Sequence, residues 1–260
     1  MAVAQWSRTS RSLSRMKLRR SGAEVMADSP AKRHLQRVEA EEAAKRAAGG
    51  NLMEGTPIYQ QTLLQLATDR ARLKQIQSGK AKGQLKAALL PTYDAYIEGV
   101  LAADAGGQDD VVSTLMLWNI DAGLYEPALD IAAYVLAHGL TMPDRFERTA
   151  GCVVAEEIGI AALNALKTGA AFDLGVLNRA VEVTKGHDMP DQVRARLLLA
   201  RARCLLPPGS EETPPNAEDV GQAVEDLREA IRLHDSCGGK EDLKRAERLQ
   251  KKFEASQSND

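Results

Sequence analysis

The residues best suited to chemistry in this 260-residue chain are cations at helical spacing. Lys32, Arg33 and Arg37 fall within two turns of one prospective helix, and Lys45-Arg46 follows on the same segment. Arg70, Arg72 and Lys74, then Lys80, Lys82 and Lys86, form a second concentration. Side chains of this kind grip phosphate oxygens, which gives affinity and a steep salt dependence without reading bases. The same pattern also describes solvated helix faces whose Lys and Arg balance Glu39, Glu41 and Glu42. The residues alone leave both readings open.

No catalytic constellation accompanies these cations. Gly238-Gly239-Lys240 lacks both the leading Gly and the trailing Ser/Thr of a phosphate loop. His34, His138, His187 and His234 have neither HExxH spacing nor a Cys partner at metal-ligand spacing. Cys152 reads as a buried small hydrophobe. A metal nuclease would need several converging carboxylates. The adjacent pairs Asp109-Asp110 and Glu156-Glu157 diverge on a helix by about 100°. Asp188-Met189-Pro190-Asp191 reads as a turn and helix cap. Convergence of carboxylates across helices stays open, so no catalytic residue is assigned, no metal ligand is named and no cofactor is expected on this chain.

Charge is segregated along the sequence. The net charge of −2 conceals 17 Lys/Arg against 7 Asp/Glu in residues 1–86, and 17 against 29 in residues 87–260. A basic arm on an acidic body is one form a nucleic-acid binder takes. Three cysteines, odd in number and far apart, argue against a disulfide framework and fit a reducing cytoplasm. No apolar run approaches the ~18 residues a membrane helix needs, so no membrane partner is expected.

The elements that must position the cations are helical. Aromatics are only 4% while Ala and Leu abound, which favours helix over sheet. Residues 1–27 read as an extension or upstream start outside the fold: they are basic and Ser-rich like a transit peptide but lack an apolar core, and Met26 opens a fresh segment. Ser29 and Pro30 start a helix whose largest apolar residues are Leu35 and Val38, which alone would be marginal in water, and Gly49-Gly50-Asn51 ends it. A second helix is predicted over Pro57–Ser78, with Tyr59, Leu63, Leu66, Leu73 and Ile76 on one side and Thr62 and Asp69 interrupting the other seam. Gly79–Gly83 reads as a basic linker, followed by a helical face broken at Pro91. These parts make a basic helical region, 28–104, closed by Ala105-Gly106-Gly107.

The second half reads as helical hairpins. Asp109 or Asp110 caps a helix with the stripe Val111, Leu115 and Trp118, and Gly123 supplies the turn into a helix that holds Pro127 in its first turn and carries Leu129, Ala132 and Leu136. Helices follow over Val153–Lys167, Leu174–Thr184 and Pro190–Leu206, completing a body over 105–207. The pairing resembles a tetratricopeptide array, without its full consensus. A loop, 208–217, then leads to a helical pair, 218–255, the first helix with Val220, Val224, Leu227 and Ile231 on one face and the last, Glu241–Glu254, carrying Leu243, Ala246, Leu249 and Phe253. The expected fold is all-α: a basic N-terminal helical region followed by a helical-hairpin body.

Further wording in the chain carries a resemblance. Ser29-Pro30-Ala31 with Arg33-His34 and Arg37-Val38, Leu73-Lys74-Gln75-Ile76, and Leu89-Leu90-Pro91 with Tyr96 and Gly99-Val100-Leu101 come in one order. Gln108-Asp109-Asp110, Met116-Leu117-Trp118, Asp121-Ala122-Gly123, His138–Pro143 and Asp188–Ala195 continue it. This order, over roughly residues 26–255, resembles the small terminase subunit of P2-like tailed phages, often labelled the terminase endonuclease subunit. The N-terminal extension and the polar ending SQSND depart from the pattern, some relatives carrying a long basic tail there.

The resemblance implies a DNA-packaging protein of the host bacterial cytoplasm that recognises phage cohesive-end DNA. It implies two protein partners, a large terminase subunit carrying the ATP and divalent metal of the motor, and further copies of itself in a ring. Small terminases generally guide a cut that the large subunit makes. The alternatives are a subunit that cuts the DNA itself, for which Asp109 and Glu156 are the carboxylates to substitute, and a non-catalytic tetratricopeptide-like adaptor for protein.

Overall fold

Short polar side chains start most of the helices. Ser29 Oγ accepts from the backbone N–H of Lys32 at 3.2 Å, Ser78 from Ala81, Thr149 from Cys152, Asp173 from Gly175 and Asn216 from Asp219. Each satisfies an N–H that the first helical turn leaves without a partner. The computed structural model describes residues 29–48, 53, 55–143, 148–207 and 216–257. The expected extension over 1–27, the Gly49-Gly50-Asn51 stop and the loop up to residue 215 lie outside the described residues.

Among the described residues the fold is all-α, with no strand. The helices are α1 (Pro30–Ala47), α2 (Pro57–Lys74), α3 (Gly79–Leu89), α4 (Asp94–Ala103), α5 (Asp110–Asp121), α6 (Tyr125–Ala137), α7 (Ala150–Lys167), α8 (Leu174–Val183), α9 (Asp191–Leu205), α10 (Ala217–Leu233) and α11 (Lys240–Gln257). A 3₁₀ turn, Leu90–Thr92, sits between α3 and α4 at Pro91, where the helical face was expected to break.

Two expectations are corrected. Gly79–Gly83 is the start of α3, not a linker, and α2 stops at Lys74 rather than Ser78. The Ser78 cap and the run of Lys, Ala, Gln and Leu that follows carry the helix through two glycines. Helix α1 is poor in large apolar residues, as its sequence shows, and Leu35 is exposed. Its buried face is alanine: Ala40, Ala43, Ala44 and Ala47. These small residues let α1 lie against α4, where a Cβ on Gly99 would come 2.3 Å from the Arg37 carbonyl oxygen and 2.8 Å from Ala40 Cβ. Helix backbones approach that closely only where side chains are missing.

The hairpin turn reads as expected. Gly123 has φ +76° and its N–H reaches the Ile120 carbonyl, closing α5 before α6 begins. Pairs α5/α6, α7/α8 and α9/α10 then stack, α5 on α7 and α7 on α9 along one row, α6 on α8 along the other. One buried apolar cluster runs from Ala40 to Ala200, and a second joins α9, α10 and α11 around Leu199, Val224 and Leu227. Helix α5 is buried from Val111 to Ile120, so it forms the axis on which α2, α3, α6 and α7 pack.

Candidate nucleic-acid interface

Packing α2 and α3 on α5 brings four of the sequence-predicted cations into one place. Arg70 and Lys74 of α2 and Lys82 and Lys86 of α3 line an open cleft of about 670 Å³, closed on its other side by α5 and α7. The floor is apolar, made by Leu73, Leu117, Trp118 and Ile120. Asp121 and Glu157 are the carboxylates on its walls.

The position of α3 depends on Gly83, since a Cβ there would lie 2.9 Å from the Asp121 carbonyl oxygen. That approach brings Lys86 onto α5, where its ammonium pairs with the Asp121 carboxylate and stands 5.9 Å from the centre of the Trp118 ring. Arg70 is anchored from the other side, its Nη2 donating to Thr114 Oγ1 at 2.7 Å. Lys74 and Lys82 have no ion-pair partner among the described residues. Two of the four cations are therefore fixtures of the walls and two are available to an anion.

Behind the floor, Tyr93 meets Trp118 edge to face, ring centres 6.3 Å apart. Its hydroxyl donates to Asp69 Oδ2 at 2.7 Å, and Arg72 Nη1 donates to Asp69 Oδ1 at 2.9 Å. Burial, with the Asp69 charge behind it, pushes the Tyr93 phenol well above its ordinary pKa. Asp69, which interrupted the apolar seam of α2 in the sequence, is thus a buried acceptor bracing the floor. Trp118 is a core residue, as its stripe suggested, with one side facing the cleft.

The other candidates lie elsewhere. Lys80 faces the neighbouring groove between α3 and α7. On α1, Lys45 pairs with Glu41 at 2.5 Å and Arg46 with Glu42 at 3.4 Å, so these two balance acids on their own helix. Arg37 Nη2 stands 3.3 Å from His34 Nδ1, and Lys32 and Arg33 are exposed near the start of that helix. Thr114, Asp121 and Glu157 were not singled out as site residues. Their separation from the cations in sequence hides them, and only the approach of α3 to α5 joins the sets.

Neither carboxylate weighed for cutting is free to work as a metal ligand without rearrangement. Asp109 is fully buried: its Oδ1 accepts from the N–H groups of Val111 and Val112 at 2.8 and 3.0 Å, and its Oδ2 from the Tyr96 hydroxyl at 2.6 Å. Glu156 is held by Arg148 and, at 3.4 Å, by Arg196. Among the described residues no three His, Cys, Asp or Glu side chains gather as they would around a metal ion. Cys152 is buried, and burial pushes its thiol up, as expected of a packing residue. No helix among the described residues is long and apolar enough to cross a membrane.

Comparison with known proteins comes down on one family. The sequence model described as phage small terminase subunit matches residues 63–192, which takes in Arg70, Arg72, Lys74, Lys80, Lys82 and Lys86 and the whole cleft. A protein of Escherichia phage P2 named "Terminase, endonuclease subunit" is 41% identical over 169 residues, covering 65% of this chain and 68% of the relative. No solved structure matches the chain.

Proposed function

The chain belongs to the phage small terminase subunits, and from that membership we propose that it binds viral cohesive-end DNA and directs its cleavage and packaging by a large ATPase subunit. One observation carries the DNA-binding part. Cations from two successive helices, α2 and α3, converge on a single cleft, and two of them, Lys74 and Lys82, have no ion-pair partner among the described residues. The chain acts in this reading as a homo-oligomeric ring in the bacterial cytoplasm, with ATP and divalent metal belonging to the large subunit. A mobility-shift titration with cohesive-end DNA tests it. Charge reversal by Lys74→Glu with Lys82→Glu is expected to weaken binding at least about tenfold with helix content retained. Unchanged binding rejects the cleft as the contact.

The printed name of the phage P2 relative supports a second reading, that the chain itself cuts. The acids to test are then Asp121 and Glu157, which share the cleft with the cations, rather than the capping Asp109 or the arginine-held Glu156. Magnesium-dependent nicking by the isolated chain, lost in Glu157→Gln, would establish that reading. Absence of nicking by the isolated chain where the large subunit restores it would establish the first.

A further inference from the structure

The cleft is electrically two-sided. Its cations come from α2 and α3, its carboxylates from α5 and α7, and the surface between them is apolar. Lys86 and Asp121 cancel one another and the Arg70 guanidinium is tied to Thr114, which leaves Lys74 and Lys82 sharing the cleft with Glu157, none of these three in an ion pair among the described residues. Volume adds a further constraint. A DNA duplex has a major groove alone about 12 Å wide, so it can lie across the rim of a cleft of about 670 Å³ but cannot enter it.

We propose that the cleft receives one unstacked nucleotide of single-stranded DNA, with its phosphate on Lys74 and Lys82, its base on the apolar floor beside Trp118, and an exocyclic amino group donating to Glu157. The inference rests on the DNA-binding reading above and adds the form of DNA that is held. Single-strand sites combine a cationic track with aromatic side chains on which bases stack, and here Lys74 and Lys82 share the cleft with Trp118. A carboxylate facing the base accepts from an amino group such as that of cytosine. An acidic peptide fits less well, because its carboxylates would satisfy Lys74 and Lys82 but offer no donor to Glu157. An apolar peptide would cover the floor and leave both lysines without an anion.

Fluorescence anisotropy on the full chain tests this with three labelled probes of equal length: oligodeoxycytidylate, oligothymidylate and a blunt duplex. Oligodeoxycytidylate is expected to bind about tenfold more tightly than the duplex at the same salt. It is expected to exceed oligothymidylate by about threefold, since thymine has no exocyclic amino group. Ala71→Phe, at an exposed position of α2 on the cleft wall, should fill the space and bring single-strand binding down to the duplex level while duplex binding holds. Glu157→Ala should remove the preference for cytidylate. Single strands that bind no better than duplex, an Ala71→Phe variant that weakens both forms alike or neither, or a cytidylate preference that survives Glu157→Ala would overturn the inference. Duplex binding without strand preference overturns it alone, whereas binding of no DNA, cohesive-end duplex included, overturns the functional reading as well.

Discussion

The Tyr96 hydroxyl donates to Asp109 Oδ2 at 2.6 Å, tying α4 to the residue that caps α5. The carboxylate is fully buried, and burial raises its pKa from 3.8 to about 6, against the lowering pull of the Tyr96, Val112 and Val111 hydrogen bonds. A folded-state pKa above the unfolded one means the folded chain holds this proton longer. Its contribution is therefore favourable below about pH 4 and is lost as pH rises through about 6, by at most about 3 kcal/mol. Asp109→Asn keeps an oxygen for the Val111 and Val112 N–H groups and can donate to the Tyr96 oxygen. Urea melts across this range should show the wild type losing stability relative to Asp109→Asn as pH rises, with the difference flat above pH 7.

Gly99 and Gly221 should respond oppositely to alanine. At Gly99 the new Cβ would strike the Arg37 carbonyl oxygen and Ala40 Cβ, so α1 must lift away from α4, at a cost of about 2 kcal/mol or more. Gly221, within α10, has nothing within 4 Å of the Cβ position. Gly221→Ala should stabilise by up to about 1 kcal/mol through helix propensity. Thermal melts of the two variants compare them directly. Limited proteolysis of Gly99→Ala should show cleavage within α1 before the rest of the chain is cut.

These two glycines mark what the sequence could and could not disclose. Caps and turns were legible because their physics is local: Ser29 at α1, Asp109 at α5, Gly123 between α5 and α6, and Pro91 at its break. The docking of α1 was not, because its seam is built of alanines, which carry no strong apolar pattern. A small residue signals contact only when its partner, here Gly99, is known. The first turns of helix α3 were missed for a related reason. Gly79 and Gly83 look like breakers, yet Ser78 caps the helix and Gly83 is what admits it to the Asp121 backbone. The cations were legible as a composition; the cleft was not, since it exists only once α3 reaches α5.

Asp226 and Arg201 form a second buried polar unit, between α10 and α9. Arg201 donates through Nε at 2.7 Å and Nη2 at 2.6 Å to the two carboxylate oxygens, and Gln222 adds a third donor at 3.1 Å. Asp226→Ala would leave the guanidinium largely buried with no acceptor, which should cost about 3 to 5 kcal/mol. The double variant Asp226→Ala with Arg201→Met should recover much of that loss. A urea midpoint series over the four proteins measures the coupling, and additive losses would contradict it.

The salt dependence of binding to cohesive-end DNA tests the central claim most directly. Each lysine that contacts a phosphate contributes about 0.9 to the slope of log affinity against log salt. Lys74→Ala with Lys82→Ala should therefore make that slope shallower by about 2, while Lys45→Ala with Arg46→Ala, whose cations already pair with Glu41 and Glu42, should change it little. A slope that survives the first pair and collapses with the second would place the DNA on α1 and contradict the cleft.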